Sequence, residues 1–245
     1  MKAEFNEAQY QCALCNELTN IYLFNQLIGK TSFKFTTAIE ETKIGYDAKL
    51  SYRYTTLYLQ FKVADYINSN RGKYSRHFGV PYYYFKVRTS LPHSYLRIDC
   101  QHNLLVKLAN LGNSVYYVSP IFHTNRDFDL YYVNNQIRNN SKFISVLNLP
   151  FVASGSNHSI VYNRSAINFF SESFQINEDG TFSELLDNIS ENKFITLKKI
   201  IENNLRIIKE VFKIDLKTDS FNEIQHFFNK HNIYIFLIQE EEKWY

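Results

Sequence analysis

Cysteine, glycine, proline and tryptophan are scarce in this sequence of 245 residues, which has three, seven, four and one of them. Three cysteines are few, and an odd number of them cannot all pair, so a disulfide framework is not indicated and a reducing compartment is expected. The low glycine and proline content excludes a collagen-like or low-complexity chain, and 45% hydrophobic residues indicate a folded core. The length suits one large domain, or one domain with an appendage.

Long apolar runs and targeting signals are absent as well. No stretch approaches the roughly 18 apolar residues that a membrane span requires. The first residues carry Glu4, Glu7 and Glu17 in place of the basic start and apolar run of a signal peptide. We therefore expect a soluble, cytoplasmic protein with no membrane contact. The G-x-S-x-G, P-loop and H-E-x-x-H motifs do not occur, so the hydrolase classes that use them are not indicated.

The charge balance and the one cysteine pair are weak signals. The 27 basic and 24 acidic residues give a net charge of +3, which permits nucleic-acid binding without requiring it. Cys12 and Cys15 are i, i+3 neighbours in a predicted helix. A zinc site needs about two further ligands at suitable spacing, and no second C-x-x-C exists. We interpret the pair as packing residues.

Apolar periodicity predicts a mixed α/β fold. We predict helices over residues 3–28, 99–111, 181–212 and 219–230. We predict strands over 32–39, 44–50, 55–64, 82–88, 114–122, 128–133, 143–149, 159–162 and 233–238, of which 159–162 is expected at a sheet edge. The order helix, three strands, helix, strand in the first half predicts a mixed sheet with helices packed against it.

Two consecutive predicted strands carry the residues that we predict to form an active centre. Asp47 lies on one strand, and Gln60-Phe61-Lys62 lies on the next. Gln60 and Lys62 are i, i+2 and share a face, whereas Phe61 points to the opposite face. A carboxylate, an amide and an amine at one place suit phosphodiester hydrolysis. Asp47, the Gln60 side chain and the Phe61 carbonyl would ligate Mg²⁺, and Lys62 would orient or help deprotonate the attacking water.

A carboxylate from the first helix would complete this metal shell. We select Glu17, which sits at mid-helix, and Glu7 is the rival. The simpler alternatives stay open: Asp47 and Lys62 form an ordinary cross-strand ion pair, and Glu17 is a solvated helix residue.

This arrangement resembles the PD-(D/E)xK superfamily of restriction-endonuclease-like nucleases, in a D…QxK form. The resemblance rests on Glu17, Asp47 and Gln60-Phe61-Lys62, and covers roughly residues 3–125. It implies an αβββαβ core with a mixed central sheet flanked by helices. We divide the chain into a nuclease core with insertions over 1–175 and a mainly helical C-terminal extension over 176–245, packed on the core. Tyr46, not proline, precedes Asp47, and Gln60 is a neutral ligand, so metal affinity is expected to be lower.

The function implied by the resemblance is that of a Mg²⁺-dependent endonuclease, with Mn²⁺ as a substitute, which cleaves DNA in restriction or antiviral defence. It further implies a homodimer or a defence-system partner protein. The alternative is a catalytically inactive nuclease-fold module that binds nucleic acid or a protein partner.

Further residues are candidates for contact with nucleic acid. Arg71, Lys73 and Arg76 fall close together, and Gln101 opens the helix after the strands, near the predicted scissile phosphate. A solvated polar loop explains the three cations equally well. The aromatic run over 82–85 suits base stacking or a buried strand, and we favour the buried strand.

Overall fold

The elements form a mixed α/β fold with two five-stranded sheets. The computed structural model describes residues 1–19, 22–23, 26–27, 53–87, 100–147, 149–153, 157–170, 174–176, 180–190 and 195–239. The helices are α1 Glu7–Thr19, α2 Ser75–Phe78, α3 Gln101–Asn110, α4 Asn125–Val133, α5 Phe182–Ser190, α6 Leu197–Phe212 and α7 Phe221–Lys230. The strands are β1 Tyr22–Leu23, β2 Gln26–Leu27, β3 Arg53–Phe61, β4 Asp65–Ile67, β5 Tyr82–Lys86, β6 Ser114–Pro120, β7 Ser141–Ser145, β8 Ser159–Tyr162, β9 Ile167–Phe170, β10 Phe174–Ile176, β11 Ile195–Thr196 and β12 Tyr234–Gln239.

The central sheet is built around β3. Its strand order is β11-β3-β6-β7. β12 also pairs with β3, along the edge of β3 opposite to β6. β3 and β6 run parallel, with Gln60 beside Tyr117, whereas the other pairs are antiparallel. Parallel strands need a long crossover, and here the chain passes through β4, β5 and α3 before β6 begins. The carboxyl ends of β3 and β6 therefore lie at the same edge of the sheet.

Strand alternation divides the side chains of β3 between two hydrophobic layers. Leu57, Leu59 and Phe61 pack with residues of α1 and α5 on one face. Tyr58 packs on the other face with residues of α3, α6 and α7. Both faces are covered, which explains why this strand reads as nearly continuous apolar sequence.

The second sheet is antiparallel, with the order β10-β9-β8-β5-β4. It joins the layer that holds Tyr58, since Phe85 and Tyr162 belong to the same cluster of buried residues. The Tyr162 hydroxyl lies 2.7 Å from both Ser119 Oγ and the Pro120 carbonyl oxygen of β6. This buried polar contact connects the two sheets.

Several element boundaries differ from the sequence prediction. The helix predicted over 3–28 ends at Thr19, and β1 and β2 form a short antiparallel pair within the predicted range. The segment predicted as a strand over 128–133 is helical, because Thr124 caps α4 by accepting a hydrogen bond from the Asp127 N–H at 3.1 Å. β8 is not at an edge but lies between β5 and β9. The strands predicted over 32–39 and 44–50 lie outside the described residues.

The C-terminal part of the chain completes the central sheet. β11 and β12 both pair with β3, and α6 and α7 cover one face. Residues 195–239 are mainly helical and pack on the core, and their two strands also extend the central sheet. Local periodicity predicts their helices and the strand over 233–238, but not the long-range pairing with β3. Among the described residues, no helix is both long enough and apolar enough to cross a membrane.

Candidate functional site

Two glutamine side chains meet at the carboxyl end of β3. The Gln101 Nε2 donates a hydrogen bond to Gln60 Oε1 at 2.7 Å and another to the His231 carbonyl at 2.8 Å. Gln60 Nε2 donates to the Phe61 carbonyl at 3.3 Å. Gln60 is 0% exposed. The predicted site residues Gln60 and Gln101 are thus brought together, but in a closed amide network.

The strand topology positions this network. α3 carries the chain back from the carboxyl end of β3 to the start of β6, so its first residue, Gln101, lies over the end of β3. On the opposite edge of β3, Tyr234 pairs with Leu59, which brings the turn at His231 to the same end. The first turn of α3 contains no acidic residue. The amino end of a helix favours negative charge beside it.

Lys62 extends the parallel ladder by one hydrogen bond, from its N–H to the Val118 carbonyl at 2.9 Å. It is half-buried. Strand alternation along this ladder puts Lys62 on the same face as Gln60, as the sequence predicts. The Gln60 amide therefore lies beside the first residue of α3, and Lys62 follows two positions later on the same face of the strand.

Glu17 lies on the other face of the central sheet. Its helix packs through Tyr10, Leu14 and Leu18 against the face that carries Phe61, opposite to Gln60. The carboxylate is 2% exposed and accepts hydrogen bonds from the N–H groups of Ile137 and Arg138 at 2.7 and 2.9 Å. Burial raises the pKa of Glu17, and the two backbone hydrogen bonds oppose that rise. The structure does not bring Glu17 to Gln60, because the sheet separates them.

Of the described ligands of the predicted Mg²⁺ shell, Glu17 lies apart from Gln60 and Phe61, on the opposite face of the sheet. The Gln60 oxygen accepts from Gln101, the Phe61 carbonyl accepts from Gln60, and the Glu17 carboxylate holds a turn on the opposite face. Hard cations need several oxygen ligands that converge on one point. Asp47, the central predicted ligand, lies outside the described residues, so its role stays a prediction.

The remaining nucleic-acid candidates fall on the surface. Arg71, Lys73 and Arg76 are exposed in the segment between β4 and β5. Gln101 lies elsewhere, in the amide network. The four residues therefore belong to two different places. Of the aromatic run over 82–85, Tyr82 is 1% exposed in a strand and makes edge-to-face and tilted ring contacts with Tyr74 and Tyr84. This agrees with the buried-strand interpretation.

Sequence reasoning missed the buried polar residues between the sheets. Lys142 is 3% exposed, and its Nζ donates a hydrogen bond to the Arg164 carbonyl at 2.9 Å. In the β6–β7 pair, Lys142 lies opposite Ser119. It also missed the His231 carbonyl, which accepts a hydrogen bond from Gln101. No local sequence pattern indicates these contacts, because they depend on strand register and on a turn distant in sequence. The two cysteines predicted to be packing residues differ in burial: Cys12 is exposed and Cys15 is half-buried. Burial raises the pKa of the Cys15 thiol to about 12.

Comparison with known proteins finds no relative. No protein-family model matches the chain, and no curated protein and no solved structure matches it significantly.

Proposed function

We propose that the protein is a nucleic-acid-binding module with a nuclease-like arrangement of residues, in which Gln60 holds the structure together instead of ligating a metal. One observation carries the non-catalytic part of the proposal. The Gln60 carboxamide is fully buried, and its oxygen already accepts a short hydrogen bond from Gln101. Metal ligation by this oxygen would require opening a fully buried position to admit the ion and its other ligands.

The charge distribution supports the choice of nucleic acid as the ligand. Between Tyr66 and Ile98 the sequence has six of its 27 basic residues and none of its 24 acidic residues. The rest of the chain consequently has an excess of acids. This local concentration of basic residues in the sequence, which the modest total of +3 conceals, supports a polyanionic ligand.

Metal-dependent cleavage of DNA is the second candidate function. It is favoured by the placement of Gln60 and Lys62 on one face at the carboxyl end of β3, next to the start of α3. In this proposal Asp47 is the metal ligand that matters most, Lys62 handles the attacking water, and Mg²⁺ or Mn²⁺ supplies Lewis acidity when bound. A homodimer or a defence-system partner belongs to the same proposal, as does a restriction-endonuclease-like core.

One experiment separates the two candidates. The wild-type protein and the variants Asp47→Ala and Lys62→Ala are incubated with supercoiled plasmid and Mg²⁺ or Mn²⁺, and binding to a labelled duplex is measured in parallel with EDTA present. The binding module predicts duplex binding without cleavage in all three proteins. Metal-dependent cleavage that both substitutions abolish would overturn it in favour of the nuclease. Absence of both cleavage and binding would refute both candidates.

A further inference from the structure

The loop between β4 and β5, residues 68–81, has a backbone held by its own hydrogen bonds. The Gly72 N–H and the Ser75 hydroxyl both donate to the Ser69 carbonyl, at 2.9 and 2.8 Å. The Tyr74 N–H donates to the Tyr82 hydroxyl at 3.2 Å. A Cβ atom at Gly72 would lie 2.5 Å from Ile67 Cγ2, so the turn packs against β4 without room for a larger residue. Such a loop presents its exposed side chains from a defined backbone.

Aromatic rings form the base of this loop. Tyr74 and Tyr82 are 5% and 1% exposed and form a buried cluster with Val161 and Phe170 of the second sheet. Tyr74 stacks on Phe170 with ring centroids 4.8 Å apart. Because these rings are buried in packing, they cannot serve as platforms on which bases stack. Base stacking on Tyr74 and Tyr82 is therefore excluded, and the exposed side chains of the loop are the candidates for contact.

The outer side of the loop carries the charge. Arg71, Lys73 and Arg76 are exposed, and none of them forms an ion pair with a carboxylate in the described part of the chain. Lys73 Nζ lies 4.9 Å from the centroid of the Tyr74 ring, a cation–π contact that favours one position for the amine. Three exposed cations on a loop with a defined backbone form a surface for a polyanion.

We propose that the β4–β5 loop contacts the phosphate backbone of nucleic acid independently of base sequence. This inference rests on the proposed nucleic-acid-binding function and names its main contact surface. Arg71 is nine positions after Lys62, so at most about 30 Å of chain lies between the end of β3 and the loop. At about 3.4 Å per base pair, one duplex of about 20 base pairs can contact both places.

The salt dependence of binding gives a quantitative test. Three phosphate contacts contribute a slope of about −2.7 to a plot of log K against log salt concentration for duplex DNA, and about −2.1 for a single strand. Between about 50 and 200 mM salt, the duplex slope corresponds to about a 40-fold loss of affinity. The test compares the full-length wild type with the triple variant R71Q/K73Q/R76Q. Fluorescence anisotropy is measured with labelled duplexes of two unrelated sequences in EDTA.

A matched control removes the same charge elsewhere. Lys198, Lys199 and Arg206 are exposed on α6, and K198Q/K199Q/R206Q changes the net charge equally. We expect the loop variant to bind both duplexes more weakly and to lose most of the slope attributed to three contacts, while the control keeps wild-type binding within a few-fold. Thermal unfolding checks that all three proteins are folded.

Each other outcome has a definite meaning. Equal losses in both variants would show a net-charge effect, and wild-type binding by the loop variant would show that another surface is used. Either result overturns the loop proposal and leaves the proposed function standing. A strong preference of the wild type for one duplex sequence would also overturn it. If the wild type binds no DNA even at low salt, the proposed function itself fails.

Discussion

Replacement of Gln60 by glutamate tests whether this residue is a structural amide or a metal ligand. In the wild type, Gln60 Oε1 accepts from Gln101, while Nε2 donates to the Phe61 carbonyl. A protonated glutamate can reproduce both bonds, because its O–H can donate to that carbonyl. An ionised glutamate has no proton to donate to the Phe61 carbonyl. Its negative charge would lie against that carbonyl oxygen in a fully buried position. Burial raises the pKa of a carboxyl group, so the variant prefers the protonated form when folded.

The sign and size of the effect follow from proton linkage. Between the unfolded pKa of a glutamate, about 4.3, and its raised folded value, the folded state binds more protons than the unfolded state. The free energy of unfolding therefore falls as pH rises, by about 1.4 kcal/mol per pH unit. Between about pH 4.5 and pH 6.5 this is a loss of about 2.7 kcal/mol, or about 5–10 °C in Tm for a chain of this size.

The assay is thermal unfolding followed by circular dichroism across this pH range, with the wild type subtracted. Gln136→Glu is the control, because Gln136 is exposed and gains the same charge. We expect Gln60→Glu alone to lose stability as pH rises, and millimolar Mg²⁺ to leave its Tm unchanged. If Mg²⁺ restores the Tm of Gln60→Glu but not that of the control, Gln60 lies in a metal site and the structural interpretation is refuted. A pH-independent Tm would refute it too.

Three further substitutions test other buried contacts. Glu17→Ala leaves two buried N–H groups without an acceptor, so urea unfolding should show a loss of about 2–4 kcal/mol. Because burial raises the pKa of Glu17, this difference should shrink as pH rises from about 4.5, and growth with pH would contradict the burial argument. Tyr162→Phe removes the hydroxyl that joins the two sheets and should cost about 1–3 kcal/mol, whereas an unchanged urea midpoint would show that the contact does not stabilise them. Gly72→Ala crowds Ile67 and should lower the Tm at an overpacking cost of about 1–3 kcal/mol, and a raised Tm would show that the loop has room.

Local patterns in the sequence determined much of the secondary structure around the site. Alternation along β3 correctly separated Leu59 and Phe61 from Gln60, because successive side chains in any strand point to opposite faces. The helix predicted over 99–111 and the strand over 114–122 appear as α3 and β6, since their periods are read within a single element. The exposure of Arg71, Lys73 and Arg76 likewise agrees with a polar loop.

Tertiary structure alone decided which groups meet. Glu17 was predicted beside Gln60, but it lies on the opposite face of the sheet. A helix can pack on either face, and no local feature of α1 indicates which face it covers. The return of β12 to β3, which brings the His231 carbonyl to Gln101, joins residues 130 positions apart. Sequence by itself therefore set the direction of each side chain relative to its own strand or helix. The partners of Gln60 and Glu17 depended on strand order and layer packing, because these minimise the free energy of the whole core and not of any one segment.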